Sequence, residues 1–458
     1  MLVRVKQFLD SRSVTYQIHE KGDEKPWLDS INHWVRAVAM TTQEQSATNQ
    51  QFIAILPFNH MLDFNLLTQS LQQEIIPLQG EAADALFSRC ATGIRVPLAD
   101  LFELDSILDS SIQERQWVCF EVGDGAHYVE MKSNEFVSLC SGSDLCQIGN
   151  ISFPIKNLYL SKGIKDPGLR DFSSLRIQGR VEQISDLPPI PSVAIEIIEL
   201  KANRFATAGD LAKIIEKDPG LSALIMGWAN SAYYGFQDKI TSLNQAISTV
   251  LGFDMVINLS LGIALSQTLK VPAEGPIGLK NYWRQAVLSA NLSEKLAMRM
   301  SPSVRPHSGL VYLSGLLHNI GHLLLGHSFP PQFFVLNRFI EVNPHIEVST
   351  IEQYILGVSH EQIGAWLLTN WNLPAEIVDA TRWHHQEEYA SPNAVYSNLI
   401  LLSNCMLGNL KVGDARPSEI PQAVLELLGL TENQALSAFQ AMENYMPELE
   451  SLALQLAA

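Results

Sequence analysis

The stretch Leu313-Ser-Gly-Leu-Leu-His-Asn-Ile-Gly-His-Leu-Leu-Leu-Gly-His327 constrains this chain more than any other. His318 and His322 are spaced i,i+4, so on one helix they share a face. Leu313, Leu316, Leu317, Ile320, Leu323 and Leu324 can surround that face as core. The spacing predicts an active-site-like helix inside a helical domain. What the stretch lacks is a carboxylate. Asn319 follows His318 where a hydrolytic divalent-metal site would want an acid, because hard cations need anionic oxygen to offset their charge.

A chain of 458 residues is too long for one ordinary core, and length alone suggests roughly two or three domains. With 47% hydrophobic and 17% charged residues, burial is not limiting and order is expected throughout. The start, Met1 to Asp10, reads as an amphipathic helix without a cleavage site, and no apolar run reads as a membrane span, so a cytoplasmic location is expected. The cysteines Cys90, Cys119, Cys140, Cys146 and Cys405 form no CxxC pair and are odd in number, which predicts reduced thiols.

The net charge of −17 disfavours sequence-blind nucleic-acid binding, whose affinity comes from Lys and Arg displacing counterions. The acid is uneven along the chain. Residues 1–150 carry 10 basic and 20 acidic side chains, net −10, whereas residues 151–182 carry 6 basic and 3 acidic, net +3. That basic stretch also holds Pro154, Gly163, Pro167, Gly168 and Gly179, so it is read as a linker. The expected organisation is an α+β domain over 1–150, the linker over 151–182, a helical domain over 183–390 and C-terminal helices over 391–458 that pack on it.

In the first domain Val14–His19, Trp34–Met40, Phe52–Leu56, Trp117–Val122 and His127–Met131 are short, β-branched and aromatic, and read as strands. Helical patterns over Phe64–Leu78 and Glu81–Ala91 lie between them. The opening Val5-Lys-Gln-Phe-Leu, the pattern Ile55-Leu-Pro-Phe-Asn-His-Met-Leu-Asp63, the loop Gly93-Ile-Arg-Val-Pro97 and Gly125-Ala-His-Tyr-Val-Glu-Met131 together resemble the YbaK/ProX family of aminoacyl-tRNA deacylases. The resemblance implies a mixed sheet with helices and a pocket at Arg36, Gly93, Pro97 and His127. It places Arg36 where that family uses a lysine. A planar fork does not replace a compact ammonium, so a domain that kept the fold and lost the reaction is expected. His19, His33 and His60 lie in different elements and read as ordinary satisfied imidazoles.

From Leu187 the pattern changes to short helices. Leu187-Pro-Pro-Ile-Pro-Ser192 reads as an extended lead-in with Ser192 as cap for Val193–Lys201, and Thr207–Lys217 repeats at helical spacing. Asp218-Pro-Gly-Leu, Ala229-Asn-Ser-Ala-Tyr-Tyr-Gly235 and Ala246-Ile-Ser-Thr-Val-Leu-Gly252 follow, with Asp218, Pro219, Asn230, Ser231 and Gly252 at helix ends. In order and composition these motifs resemble the HDOD domain, a helical signalling domain related to the HD metal phosphohydrolases, over about residues 180–390. Thr431 is a plausible cap for Glu432–Met442, and Leu449–Leu456 reads as a final helix.

The HD resemblance implies a metal held by a His, a His-Asp pair and a later Asp. Laid on this chain, those positions fall at Gln285, at His318 with Asn319, and near Ser403-Asn404. Amides thus stand where acids or imidazole belong, and no cofactor is expected. The alternative is a divalent metal (Zn, Fe or Mn) held by His318, His322, His360, His384 and His385, since neutral imidazole suits such ions. The function expected is a non-catalytic bacterial signal-transduction or scaffold protein that binds a protein partner or a small signalling ligand. A metal-dependent phosphohydrolase and a trans-editing deacylase are the rival readings. Neither nucleic acid nor membrane is an expected partner.

Overall fold

The computed structural model describes residues 1–20, 33–42, 50–73, 75–78, 80–91, 94–140, 144–152, 189–203, 205–235, 238–387, 389–408, 410, 412–414 and 420–457. The basic linker therefore lies almost wholly outside the described residues, as does Gly93. The chain divides into two units: 1–163 with 338–346, and 164–337 with 347–458.

The first unit is α+β. Helix α1 (Leu2–Ser11) buries Val5 and Leu9, one turn apart. The strands are β1 (Tyr16–Glu20), β2 (Val35–Thr42), β3 (Gln51–Pro57), β4 (His60–Leu62), β5 (Ile75–Pro77), β6 (Asp105–Asp109), β7 (Trp117–Glu121), β8 (His127–Lys132), β9 (Asp144–Cys146) and β10 (Gly149–Ser152). Between them run α2 (Phe64–Leu71), α3 (Gly80–Leu86) and α4 (Ser133–Leu139). A five-stranded sheet has the order β5-β2-β3-β6-β9, a three-stranded sheet the order β1-β8-β7, and β10 pairs with β4. The β2–β3 pair is antiparallel with Arg36 opposite Leu56, whereas β3–β6 and β6–β9 are parallel. Central β2 and β3 are apolar on both faces, as strands covered on both sides must be.

One expectation fails here. The apolar period over Phe64–Leu78 reads as a single helix, but α2 ends at Leu71 and Ile75–Pro77 pairs with β2 as an edge strand. Gln72, at φ +55, takes the left-handed conformation that stops the helix, and β-branched Ile75 and Ile76 then find a sheet edge.

The second unit is helical: α5 (Ser192–Ala202), α6 (Ala208–Ile215), α7 (Pro219–Ala229), α8 (Phe253–Ser266), α9 (Leu279–Arg299), α10 (Ser308–Leu317), α11 (Ile320–Ser328), α12 (Pro330–Val342, whose last residues from Arg338 belong to the first unit), α13 (Val348–Leu356), α14 (His360–Asn370), α15 (Ala375–Trp383), α16 (Ala394–Gly408), α17 (Gln422–Leu428), α18 (Glu432–Glu443) and α19 (Met446–Ala457). Ser192 opens α5 as its first residue, and Pro191 is the cap. Thr207 and Thr431 each cap a helix through a reciprocal box with the residue three on. Asp218 accepts from the Leu221 amide at 3.0 Å with Pro219 in the first turn of α7.

The central His318 stretch is not one helix. His318 ends α10 and Asn319, at φ −102 and ψ 17, starts α11. Ser308–Ser328 has the length and hydropathy of a membrane span, contrary to the sequence expectation, but 94% of its most apolar window is buried inside the fold, as for the core of a helical domain.

Candidate metal centre

The break at His318-Asn319 sends the two histidines to different neighbours. His318 lies edge-on to His384, with ring centroids 5.0 Å apart, whereas His322 lies against His360 at 4.1 Å. The close approach of α11 and α14 needs glycine: a Cβ at Gly321 would run into the His360 carbonyl, and one at Gly364 into Thr381. His384 is the C-cap of α15 and His385 follows it, and the packing of α15 on α14 brings both to His360.

No acid stands at Ser403-Asn404, the position that the resemblance gives for the last HD ligand; the buried aspartate of this pocket is Asp414, in the turn after α16. Gln285 on α9 grips that residue twice: its Oε1 accepts from the Asp414 amide at 3.0 Å, and its Nε2 donates to Asp414 Oδ1. Asn319 Nδ2 donates to the same Oδ1 at 2.9 Å. The amides at the two HD-like positions thus hold a carboxylate that arrives from elsewhere in the chain. Gly413 makes this possible, since it sits at φ +59 and a Cβ there would overlap the Gln285 amide. Asn404 lies on α16, 5% exposed, with neither amide atom hydrogen-bonded.

With Oδ1 occupied, Asp414 Oδ2 faces the imidazoles, 3.5 Å from His360 Nε2 and 3.4 Å from His385 Nε2. His360 Nε2 is 3.4 Å from His384 Nε2. All four ligand atoms lie within 4.8 Å of one another. Metal–ligand bonds of about 2.0–2.1 Å in a tetrahedron put ligand atoms about 3.3–3.4 Å apart, which is the spacing found for these three pairs.

The outward ring nitrogens are fixed by acceptors. His360 Nδ1 meets Glu352 Oε2 at 2.8 Å, and His384 Nδ1 meets the Thr381 carbonyl at 2.8 Å. His318 Nδ1 likewise meets the Gly315 carbonyl at 2.7 Å. For His318 and His384 this puts the proton on Nδ1 and turns a bare Nε2 inward, the orientation that metal-binding histidines require, whereas His360 must first give up its Nε2 proton. Glu352 also accepts from the His360 amide at 2.8 Å and faces His322 Nε2 at 2.8 Å, so His322, Glu352 and His360 form a second, overlapping group. His318 Nε2 is buried without a hydrogen-bond partner, and Asp414 Oδ2, His385 Nε2 and Glu361 Oε2 have only ion-pair contacts of 3.4–3.8 Å in place of hydrogen bonds. Orphaned buried groups are costly, and this donor set of imidazole and carboxylate suits a divalent transition metal.

The electrostatics agree. Burial would raise Glu352, but His360 and His322 hold its pKa down at about 2. Burial would lower His360, but Glu352, Glu361 and Asp414 push it up to about 10. His318 is lowered to about 4, chiefly by burial, and His384 falls well below its ordinary value through burial and the neighbouring imidazoles. The pocket therefore holds two buried acids, Glu352 and Asp414, that the sequence does not point to.

The other anticipated residues serve different ends. Asn230 donates to the Met226 and Ile240 carbonyls and accepts from the Ile240 amide at 2.9 Å, tying the end of α7 to the next segment. Ser231 Oγ donates to the Trp228 carbonyl. Gly252, at φ +82, starts α8. In the first unit His127 Nδ1 meets Asp124 at 2.7 Å and Pro97 is buried. The Arg36 guanidinium donates to the Val342 carbonyl at 2.6 Å, to Asn343 Oδ1 at 2.7 Å and to the His60 carbonyl at 3.3 Å. Burial and nearby Arg95 lower its pKa to about 9, which leaves it charged at neutral pH.

A helical unit whose core pocket gathers imidazoles around a buried acid is the arrangement expected of an HD-type domain. Residues 187–387 match the HDOD domain family, so this chain carries an HDOD domain. A proposed signal transduction protein from Marinobacter aquaeolei VT8 is 29% identical and superposes with a TM-score of 0.82 over 100% of this chain and 99% of that one. An HDOD domain protein from Geobacter sulfurreducens, 18% identical, shares the fold over 62% of this chain and 98% of its own, with a TM-score of 0.52. An uncharacterised protein of Treponema pallidum (strain Nichols) is 24% identical over 259 residues, 56% of this chain. The match spans about half of that relative, 48% of its length.

Proposed function

We propose that this is a signalling protein whose HDOD pocket holds one divalent transition-metal ion through His360, His384, His385 and Asp414. The observation that carries the reading is the spacing of 3.4–3.5 Å among the inward Nε2 and Oδ2 atoms. Four protein ligands complete a tetrahedron, and His360, His384 and Asp414 are almost fully buried. Catalytic zinc sites keep a coordination position for water, whereas closed sites stabilise or sense. The ion in this reading therefore orders the domain and hydrolyses nothing. Its output is binding of a protein partner or a small signalling ligand, in keeping with the signal-transduction description of the Marinobacter relative.

The test is elemental analysis of protein purified without chelator or metal-affinity resin, with zinc, iron and manganese titrated into metal-free protein. One equivalent bound, with no turnover of phosphodiester substrates, is the expected result. Failure to bind any of the three would refute the reading. A metal phosphohydrolase is the second reading, favoured by the bare, buried His318 Nε2 and Asn319 Oδ1, which could face a substrate. Phosphodiester turnover lost in Asp414→Asn would select it. The trans-editing reading is weakened because Arg36 spends its donors on Val342, Asn343 and His60.

A further inference from the structure

The motif Ala229-Asn-Ser-Ala-Tyr-Tyr-Gly235 takes no part in the metal pocket. After α7 it makes a short turn over Ala232–Tyr234 and lies against the start of α19, where the Tyr233 and Tyr445 rings meet edge to face at 5.3 Å. An open cleft of about 360 Å³ is bounded by α7, this turn and α19, all within the helical unit. Its walls are preformed. Asn230 fixes the turn to the Ile240 backbone, and Ser231 Oγ donates to the Trp228 carbonyl at 2.8 Å, which leaves the hydroxyl's lone pairs to accept.

On α19, Glu448, Ser451, Leu452 and Gln455 follow an i, i+3, i+4, i+7 spacing, so one face of the helix lines the cleft. Glu448 is the one charged residue among the lining, and its Oε2 is buried without a hydrogen-bond partner. Glu450, two residues on, is the contrast: Arg284 of α9 donates to it at 2.7 and 2.9 Å. A buried carboxylate oxygen without a donor is costly, and the missing partner is a cation. The opposite wall is bare because α7 carries Gly227 there, where a Cβ would stand 3.4 Å from Gln455 Oε1. Glycine is a poor residue inside a helix, and at this position it keeps the cleft open.

We propose that this cleft binds an alkylammonium ligand of the polyamine class, with one cationic end on Glu448 and a second N–H group on the oxygens of Ser231, Ser451 or Gln455. An ammonium has three donors and no acceptor, and the lining answers with a carboxylate, hydroxyls and an amide while placing no cation of its own there. Ala232, Pro447 and Leu452 supply apolar surface for the methylene stem. Glu448 and Gln455 are about 10 Å apart along the helix, which favours a ligand with two or more nitrogens over a short monoamine. The site shares no residue with the metal pocket, and the proposal does not rest on the metal reading.

The test is calorimetric titration of spermidine into the full-length protein, with n-butylamine as the singly charged control. One spermidine per chain is expected, with n-butylamine at least tenfold weaker. Glu448→Gln removes the charge at nearly constant shape and should weaken spermidine at least tenfold, while the melting temperature of the ligand-free protein does not fall. Gly227→Leu fills the cleft from α7 with a better helix former and should abolish binding. Glu426→Gln, at an exposed carboxylate outside the cleft, should leave the affinity unchanged. A net charge of −17 also draws polyamines to the surface at large. Equal affinity in the wild type, Glu448→Gln and Gly227→Leu is that diffuse association and overturns the proposal, as does the absence of binding to the wild type. Should Gly227→Leu lose cooperative melting, Glu448→Gln alone decides.

Discussion

Asp414→Asn is the sharpest test of the metal centre because it changes one atom and little shape. In the native pocket Oδ1 is held by Gln285 and Asn319, and Oδ2 is the oxygen turned to His360 and His385. An asparagine can keep its oxygen under the two amide donors, but it must then present an NH2 group where the ligand oxygen stood. Structural zinc sites contribute roughly 10–16 kcal/mol through four ligands, so one ligand accounts for about 3 kcal/mol. At about 1.4 kcal/mol per decade, this predicts zinc binding about a hundredfold weaker. The loss should appear in chelator competition, and as a smaller zinc-induced rise in melting temperature. Removing the anion also takes away one of the charges that keep His360 protonated, so the metal-free variant should show a lower His360 pKa by NMR. Equal zinc affinity in the variant and the wild type, with both folded, would refute the coordination assigned here.

Three further outcomes follow from the same geometry. Gly413→Ala places a Cβ against Gln285 at positive φ, and should cost about 1–3 kcal/mol in thermal or denaturant unfolding, with zinc affinity reduced as Asp414 is displaced. Zinc must displace a proton from His360, whose pKa stands at about 10 in the metal-free pocket. Affinity should therefore fall about tenfold for each pH unit lost between about pH 8 and 6, more if raised His385 also gives up a proton, as titration calorimetry at several pH values would show. Glu352 has a folded pKa of about 2 against an ordinary 4.5, so its contribution is complete above pH 4.5 and is lost as pH falls towards 2. That shift corresponds to about 3 kcal/mol, and Glu352→Gln should flatten the acid limb of the metal-free protein's stability curve.

The helical domain was legible because its signals are local: caps, Pro-Gly turns and apolar periods each act within one turn, and Thr207, Asp218 and Thr431 cap the helices they were expected to cap. The histidines were legible as a concentration along the chain, and the fold brings His318, His322, His360, His384 and His385 together. The acid was not, because a carboxylate ligand can come from any loop that the fold brings near, and Asp414 carries no spacing relation to His318. One trace was present. Val348, Ile351, Glu352, Ile355 and Leu356 follow the i, i+3, i+4, i+7, i+8 rhythm of a buried stripe, and Glu352 is the single acid on it. An acid on a core stripe is affordable only with buried donors, and histidine is the donor this domain has in excess. The amides at 285 and 319 did not point to Asp414, because an amide that replaces a ligand and an amide that holds a carboxylate look alike in sequence. Gln285 and Asn319 lack the charge to bind a cation, yet by donating to one oxygen of Asp414 they leave its other oxygen facing His360 and His385, so neutral positions in this pocket position its charge.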